Sequence, residues 1–387
     1  MSYSATKHQR LQRTQAAAAV FALVAGCGVA AAWPDGTRGG SGAGTGPLVS
    51  STRPAPAEAE PAASSSTAST PSTVPPGRAK GEAVTLAFAG DVNFNATQSA
   101  SLLADPGSRI RPMRPWLEPA DVAVVNLETA ITERGSAVPK AFTFRAPPSV
   151  LRGFSENGVD AVSMANNHGM DYGPEGLLDS IAAKASSPVA VIGIGADEDE
   201  AFAPFRATVR GQRIAVIAAT QVLDSELIDD WTATASKPGL ASAKRVDRLV
   251  AEVRRARATS DTVVVFLHWG RERTTCPSAD QQDLARRLAA AGADVIVGAH
   301  AHRVLGGGRL GKALVHYGLG NFGFYAAGPE AATTGVLTVT VKGRAVVSYQ
   351  WVPGTIRERV PYPLSGAAAV RAVAAWEALR PCTGLEP

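Results

Sequence analysis

Between residues 84 and 299 the chain repeats one short unit: a β-rich apolar run of six or seven residues, a polar loop, then a stretch with helical spacing. The runs are VTLAFAG (84–90), DVAVVN (121–126), DAVSMA (160–165), VAVIGI (189–194), RIAVIAA (213–219), TVVVFLH (262–268) and DVIVGA (294–299). They are too short to cross a membrane as helices. Being apolar at odd and even positions alike, they need cover on both faces, as strands of a helix-clad sheet have. The stretches between supply it. Over 242–258, Val246, Leu249, Val250 and Val253 recur at i, i+3, i+4 and i+7, and Arg254, Arg255 and Arg257 gather where the helix dipole is negative. Over 278–291, Ser278 and Gln281 have capping-box spacing, Leu284 and Leu288 share a side, and Gly292 ends the run. LVHYGL, VLTVTV and AVVSYQW follow, and the last two alternate as an antiparallel pair turning at Lys342-Gly343-Arg344 would. One α/β domain over 83–361 is predicted, with a C-terminal helix in 362–387 and no internal sequence repeat with a period of about 20–50 residues.

Polar residues follow these runs with a regularity that packing alone does not require. VTLAFAG ends in Asp91, and DVAVV ends in Asn126 with Glu128 two residues on. DAVSMA runs into Asn166-Asn167-His168, TVVVFL into His268, and DVIVGA into His300 and His302. In α/β sheets the C-terminal strand edge is where ligands bind. Taken singly, each residue has a plainer role: Asp91 as a turn residue, Asn166-Asn167 as a turn, His268 as a core histidine. Taken together, two carboxylates, three imidazoles and an amide oxygen suit one or two divalent ions, Zn, Mn, Fe or Mg. His300 and His302 face the same way if their segment is extended. Two ions sharing a carboxylate would activate water for an in-line displacement.

The N-terminus reads as an address. Residues 1–15 are polar and basic, 16–27 are apolar, and the segment ends Val24-Ala25-Gly26-Cys27. Such a pattern describes a secretory signal over 1–26, and its last four residues resemble the lipobox of bacterial lipoproteins, in which the cysteine, here Cys27, carries lipid. An uncleaved anchor or full secretion are the alternatives. All three put the body outside the cytoplasm, the first at the cell membrane on its extracytoplasmic face. Residues 27–82 are rich in Pro, Ser, Thr and Ala, without apolar periodicity, and are expected to be a disordered tether. With Cys27 lipidated, Cys276 and Cys382 remain. An exported chain can pair them, closing a loop worth about 4–5 kcal/mol; two free thiols are the alternative. Net charge argues against nucleic acid as a partner. It is +4 over the chain, but without residues 1–26 there are 35 basic against 34 acidic side chains.

AFAGDVNF, VVNLETAIT, SMANNHGMDYG, VVVFLHWGRE, GADVIVGAHAHRV and VHYGLGNFGF resemble, in order, the capsule-synthesis CapA family. That family is similar to the calcineurin-like metallophosphoesterases and is linked to poly-γ-glutamate. The resemblance implies a layered sandwich of sheets flanked by helices. It also implies roles: Asp91, Glu128, Asn167, His268, His300 and His302 as metal ligands, His168 as the acid, and Asp171 as its orienting partner. Asn93 stands where a metallophosphoesterase has a ligand histidine, and Glu128 where it has a shorter bridging aspartate. Asn93, Asn126, Asn166 and Asn321 are accessory candidates. The function implied is a metal-dependent hydrolase acting on an anionic cell-surface polymer, anchored to the membrane by lipid and working with capsule synthesis or export membrane proteins. Arg145, Arg271, Arg273 and Arg303 would receive the polymer's anions, or are surface charges. The rival reading is a non-catalytic polymer-binding subunit of a capsule assembly complex. A 5′-nucleotidase-like phosphatase is a third, but no aromatic clamp for a base is evident.

Overall fold

The computed structural model describes residues 81–95, 102 and 104–387. The signal segment, Cys27 and the tether lie outside the described residues. Among the described residues, two mixed sheets carry the fold. The first orders Val360–Pro363, Ala345–Arg357, Thr333–Lys342, Val84–Val92, Val122–Leu127, Ala161–Ser163 and Ala190–Ile192, with Asn321–Gly323 paired to the end of Val84–Val92. The second orders Gly307–Leu310, Ala313–His316, Val295–Ala299, Thr262–His268, Gln212–Thr220 and Phe205–Val209. In each sheet the central strands are parallel and antiparallel strands close an edge.

Strand alternation builds the layers. Leu86 and Phe88 point between the sheets, where Phe88 meets Phe266 with ring centroids 6.5 Å apart. Their neighbours Ala87 and Ala89 face outward, into a cluster with Leu151 and Phe154 of helix Ser149–Glu156 and Leu177 of helix Gly173–Ala185. On the other side Ile217, Val265 and Leu267 pack against Leu249 and Val253 of helix Val246–Thr259 and Leu284 and Leu288 of helix Ala279–Ala291. Three apolar clusters therefore separate four layers, and the strands needed to be apolar on both sides because both sides are buried. This is the helix-flanked sandwich that the family resemblance implies. The Ser278–Gln281 capping box and the left-handed Gly292 stop are both present. The antiparallel pair turns at Gly343, between Lys342 and Ala345.

Some local expectations shift. The helix expected over 242–258 begins at Val246, because Ala241 and Ala243 exchange backbone hydrogen bonds with Thr220 and remain extended. The run 189–194 breaks at Gly193, whose φ of 89° bends the chain out of the sheet. Strand Val360–Pro363 carries the sheet past residue 361. Among the described residues no helix is long and apolar enough to cross a membrane.

The C-terminus is tied down three times. Helix Gly366–Glu377 buries Trp376, Cys382 is disulfide-bonded to Cys276, and Glu386 exchanges backbone hydrogen bonds with Arg309 at 2.7 and 2.9 Å. Trp376 lies over His316, with rings 5.5 Å apart and nearly parallel, and Trp351 lies 5.1 Å from the same imidazole. Neither ring nitrogen of His316 has a hydrogen-bond partner among the described residues, and burial pushes its pKa down to about 3. In the unfolded chain this imidazole takes its proton near 6.5. Its contribution to stability is thus complete above about pH 6.5 and is lost at roughly 1.4 kcal/mol per unit as pH falls toward 3. Urea titrations at pH 7.5 and 4.5 should show His316→Phe losing about 2–3 kcal/mol less than the parent over that interval. Equal losses would show that another group carries the acid sensitivity.

Candidate metal centre

Both sheets present the C-terminal ends of their parallel strands at one shared rim. Asp91 sits one residue from the end of Val84–Val92, and Asn126 one residue from the end of Val122–Leu127. His268 ends Thr262–His268, and His300 directly follows Val295–Ala299. Contacts cross between the sheets here. Asn126 Nδ2 donates to Asp91 Oδ1 at 2.9 Å and lies 3.2 Å from His268 Nδ1, while the His300 amide donates to Asp91 Oδ2 at 3.2 Å. Asp91 is held from its other flank by Gly320, whose carbonyl accepts the Asp91 amide. A Cβ on Gly90 would lie 1.8 Å from that carbonyl oxygen, so the close approach needs glycine. His300 and His302 have φ of 94° and 51°, a strained backbone of the kind that collects at functional sites.

The expected ligand atoms come together in two overlapping groups. His268 Nε2 lies 2.8 Å from Asn167 Oδ1, 3.1 Å from His300 Nδ1 and 3.3 Å from Glu128 Oε1. Nitrogen and oxygen donors about 2.0–2.2 Å from one ion in tetrahedral array stand roughly 3.3–3.6 Å apart, so these separations approach one coordination sphere. The second group joins Asp91, Glu128 and His302, with His302 Nδ1 3.3 Å from Asp91 Oδ2. Glu128 belongs to both groups. Its side chain is fully buried, yet neither carboxylate oxygen accepts a hydrogen bond among the described residues. An ionised carboxylate so placed needs a counter-charge, and a shared cation is what the surrounding donors suit. Burial opposes ionisation of Glu128, but the imidazoles of His268, His302 and His168 outweigh it and hold its carboxyl well below the ordinary range. Burial pushes His300 well down, helped by His268, whereas Glu128 and Asp91 overcome burial at His302 and raise it to about 9.

The other residues have distinct places. Asn93 is buried, with neither amide atom partnered among the described residues. Asn126 and Asn166 are struts: Asn166 Nδ2 donates to Asn126 Oδ1 and to Leu127 O, and its Oδ1 accepts the His168 amide. Asn321 Oδ1 lies 2.8 Å from His302 Nδ1. His168 directs Nδ1 at Asp171 Oδ2, 2.6 Å away, leaving Nε2 3.9 Å from Glu128 Oε1. Asp171 is held in turn by the Phe144 amide at 2.7 Å and by Lys140 Nζ at 2.9 Å. A cleft of about 540 Å³ opens here, lined by Lys140, Asn167, His168 and the acids Asp224, Glu226 and Glu272. Of the arginines, Arg303 pairs with Glu330, Arg145 stacks over Tyr172, and Arg271 and Arg273 are exposed. Sequence reasoning missed Lys140, which stands in a loop with no periodicity. It also passed over Glu272, whose signal was its place four residues after His268 within FLHWGRE.

A four-layer α/β sandwich with imidazoles and carboxylates gathered at the joint rim of its sheets is of the metallophosphoesterase-like class. Residues 85–326 match the profile of the family described as bacterial capsule synthesis protein PGA_cap, and the chain belongs to that family. It is 27% identical over 265 residues to the capsule biosynthesis protein CapA of Bacillus anthracis, covering 66% of this chain and 63% of that one. The chain thus spans somewhat less than two thirds of that relative's length. It is 24% identical over 287 residues to the PGA biosynthesis protein CapA of Bacillus subtilis strain 168, covering 73% of this chain and 74% of that one. Among solved structures, a hypothetical protein from Thermus thermophilus aligns with 70% of this chain and all of its own, at 19% identity and a TM-score of 0.44.

The buried acid gives a direct test of cation binding. Manganese at about a hundred times its dissociation constant should stabilise the parent by roughly 2.7 kcal/mol. Thermal melts of Glu128→Gln should show most of that rise gone. A full rise in the variant would remove Glu128 from the ligand set.

Proposed function

We propose that this protein is a metal-dependent hydrolase acting in the synthesis of a poly-γ-glutamate-type capsule polymer at the bacterial cell surface. The observation that carries the chemistry is the meeting of His268, His300, His302, Asp91 and Glu128 at one rim, beside a cleft that also holds His168. The family and its two Bacillus relatives support the biological setting. Divalent ions, when bound, would activate water and draw charge from the bond under attack. The residues do the rest. His268, His300 and Asn167 would hold one cation, Asp91 and His302 the other, and Glu128 would touch both. Asp171 fixes the ring of His168 so that Nε2 faces the pocket, from where it would pass a proton to the leaving group. Phe144 packs on that ring at 4.3 Å, and Lys140 keeps Asp171 from turning away. Export, lipidation at Cys27, attachment to the membrane and work beside capsule synthesis or export membrane proteins are parts of the same proposal, drawn from the N-terminal sequence and the family.

One observation favours a second reading. Asn93, buried without partners among the described residues, stands two residues after Asp91, where the family resemblance implies that a metallophosphoesterase has an imidazole ligand. A pocket with one strong and one weak site suits a subunit that grips polymer through bound cation without cleaving it. The two readings part on turnover. Purified full-length protein loaded with manganese should cleave a member of a phosphodiester and γ-glutamyl amide panel. His168→Ala should lower kcat by about 10²–10⁴ while its metal content stays the same. Polymer binding without turnover in the parent would select the subunit.

A further inference from the structure

The rim has a second acid with no assigned role. Glu272 lies on the loop between strand Thr262–His268 and helix Ala279–Ala291, and it is exposed. One of its carboxylate oxygens and one nitrogen from each of His300 and His302 all lie within 4.8 Å of one another. Glu128 groups with His300 through one set and with His302 through the other. The two imidazoles thus have a fully buried carboxylate on the inner side and an exposed one on the outer side.

The loop is built to hold Glu272 there. The Arg273 amide donates to Ala301 O at 2.8 Å, between the two histidines in sequence, and the Trp269 amide donates to Ala299 O at 3.2 Å. Arg273 takes a positive φ of 62° to make its contact. Three residues on, Cys276 is tied to Cys382, and the Ser278 cap starts the next helix. Among the described residues Glu272 makes no ion pair with Arg271 or Arg273, its neighbours in sequence.

We propose that Glu272 is a metal ligand, closing from the solvent side, beside His300, the coordination of the cation that His302 would hold with Asp91 and Glu128. This rests on the metal-centre reading of the rim. Carboxylates joined to imidazole are a donor set for Zn, Mn or Fe. Among the described residues no ion pair competes for this carboxylate.

The test is calorimetric titration of manganese into EDTA-stripped full-length protein at 0.15 M salt, with the manganese spectrum followed by electron paramagnetic resonance. Glu272→Gln keeps the shape and removes the charge. Glu226→Gln removes a charge from the same cleft with no imidazole pair beside it. We expect Glu272→Gln to weaken one manganese equivalent at least tenfold and to alter the spectrum, with Glu226→Gln within about threefold of the parent. Parent-like titration of Glu272→Gln, or equal weakening in both variants, would overturn the ligand assignment while leaving the metal centre standing. No manganese bound by the parent would sink both. Unchanged thermal midpoints in EDTA show that each variant folds.

Discussion

Glu128 is a carboxylate sealed in the interior, and its two oxygens accept no hydrogen bond among the described residues. Leaving an acid in that condition costs several kcal/mol unless positive charge comes to it. Here the positive charge is arranged in advance. His268, His302 and His168 face the carboxyl closely enough to keep it ionised against burial. Two of these imidazoles, His268 and His302, are also groups a divalent ion would bind, so the electrostatic strain of the buried acid and the affinity of the site have one origin. Much of the surrounding structure keeps those rings where they are.

Support comes from layers that are otherwise ordinary. The inter-sheet core holds both sheets at fixed separation, so strand ends that belong to different sheets can share a side-chain contact. Asn126 touches Asp91 in its own sheet and His268 in the other. The contact of Gly90 with Gly320 admits no side chain, and it locates the Asp91 backbone. Two non-glycine residues, His300 and His302, accept positive φ beside it. Rigid packing under a strained rim is the usual division of labour at sites where geometry must be kept.

A good part of the molecule was legible from pattern alone. The buried face of helix Val246–Thr259 is unambiguous, because Leu249, Val250 and Val253 can be covered together only one way. The capping box at Ser278 was equally plain, since its two hydrogen bonds are local. What went astray depended on distant partners. Residues 241–243 stay extended because Thr220, far back in the chain, offers them hydrogen bonds. Lys140 was invisible for the same reason: a loop residue acquires a role only from what it is brought against.

Residue order alone set the alternation of strands and helices, the double-faced burial of the strands, and the polar residue waiting at each strand's end. These are short-range properties, fixed by side-chain period and by the backbone preferences of neighbours. The stacking of finished layers settled the rest: that two sheets, not one, supply the rim, that Asn126 and Asn166 brace while Asn167 faces His268, and that Lys140 holds Asp171. Such outcomes depend on how separate sheets pack and which loops meet, and no local period encodes a distance between residues a hundred or more positions apart.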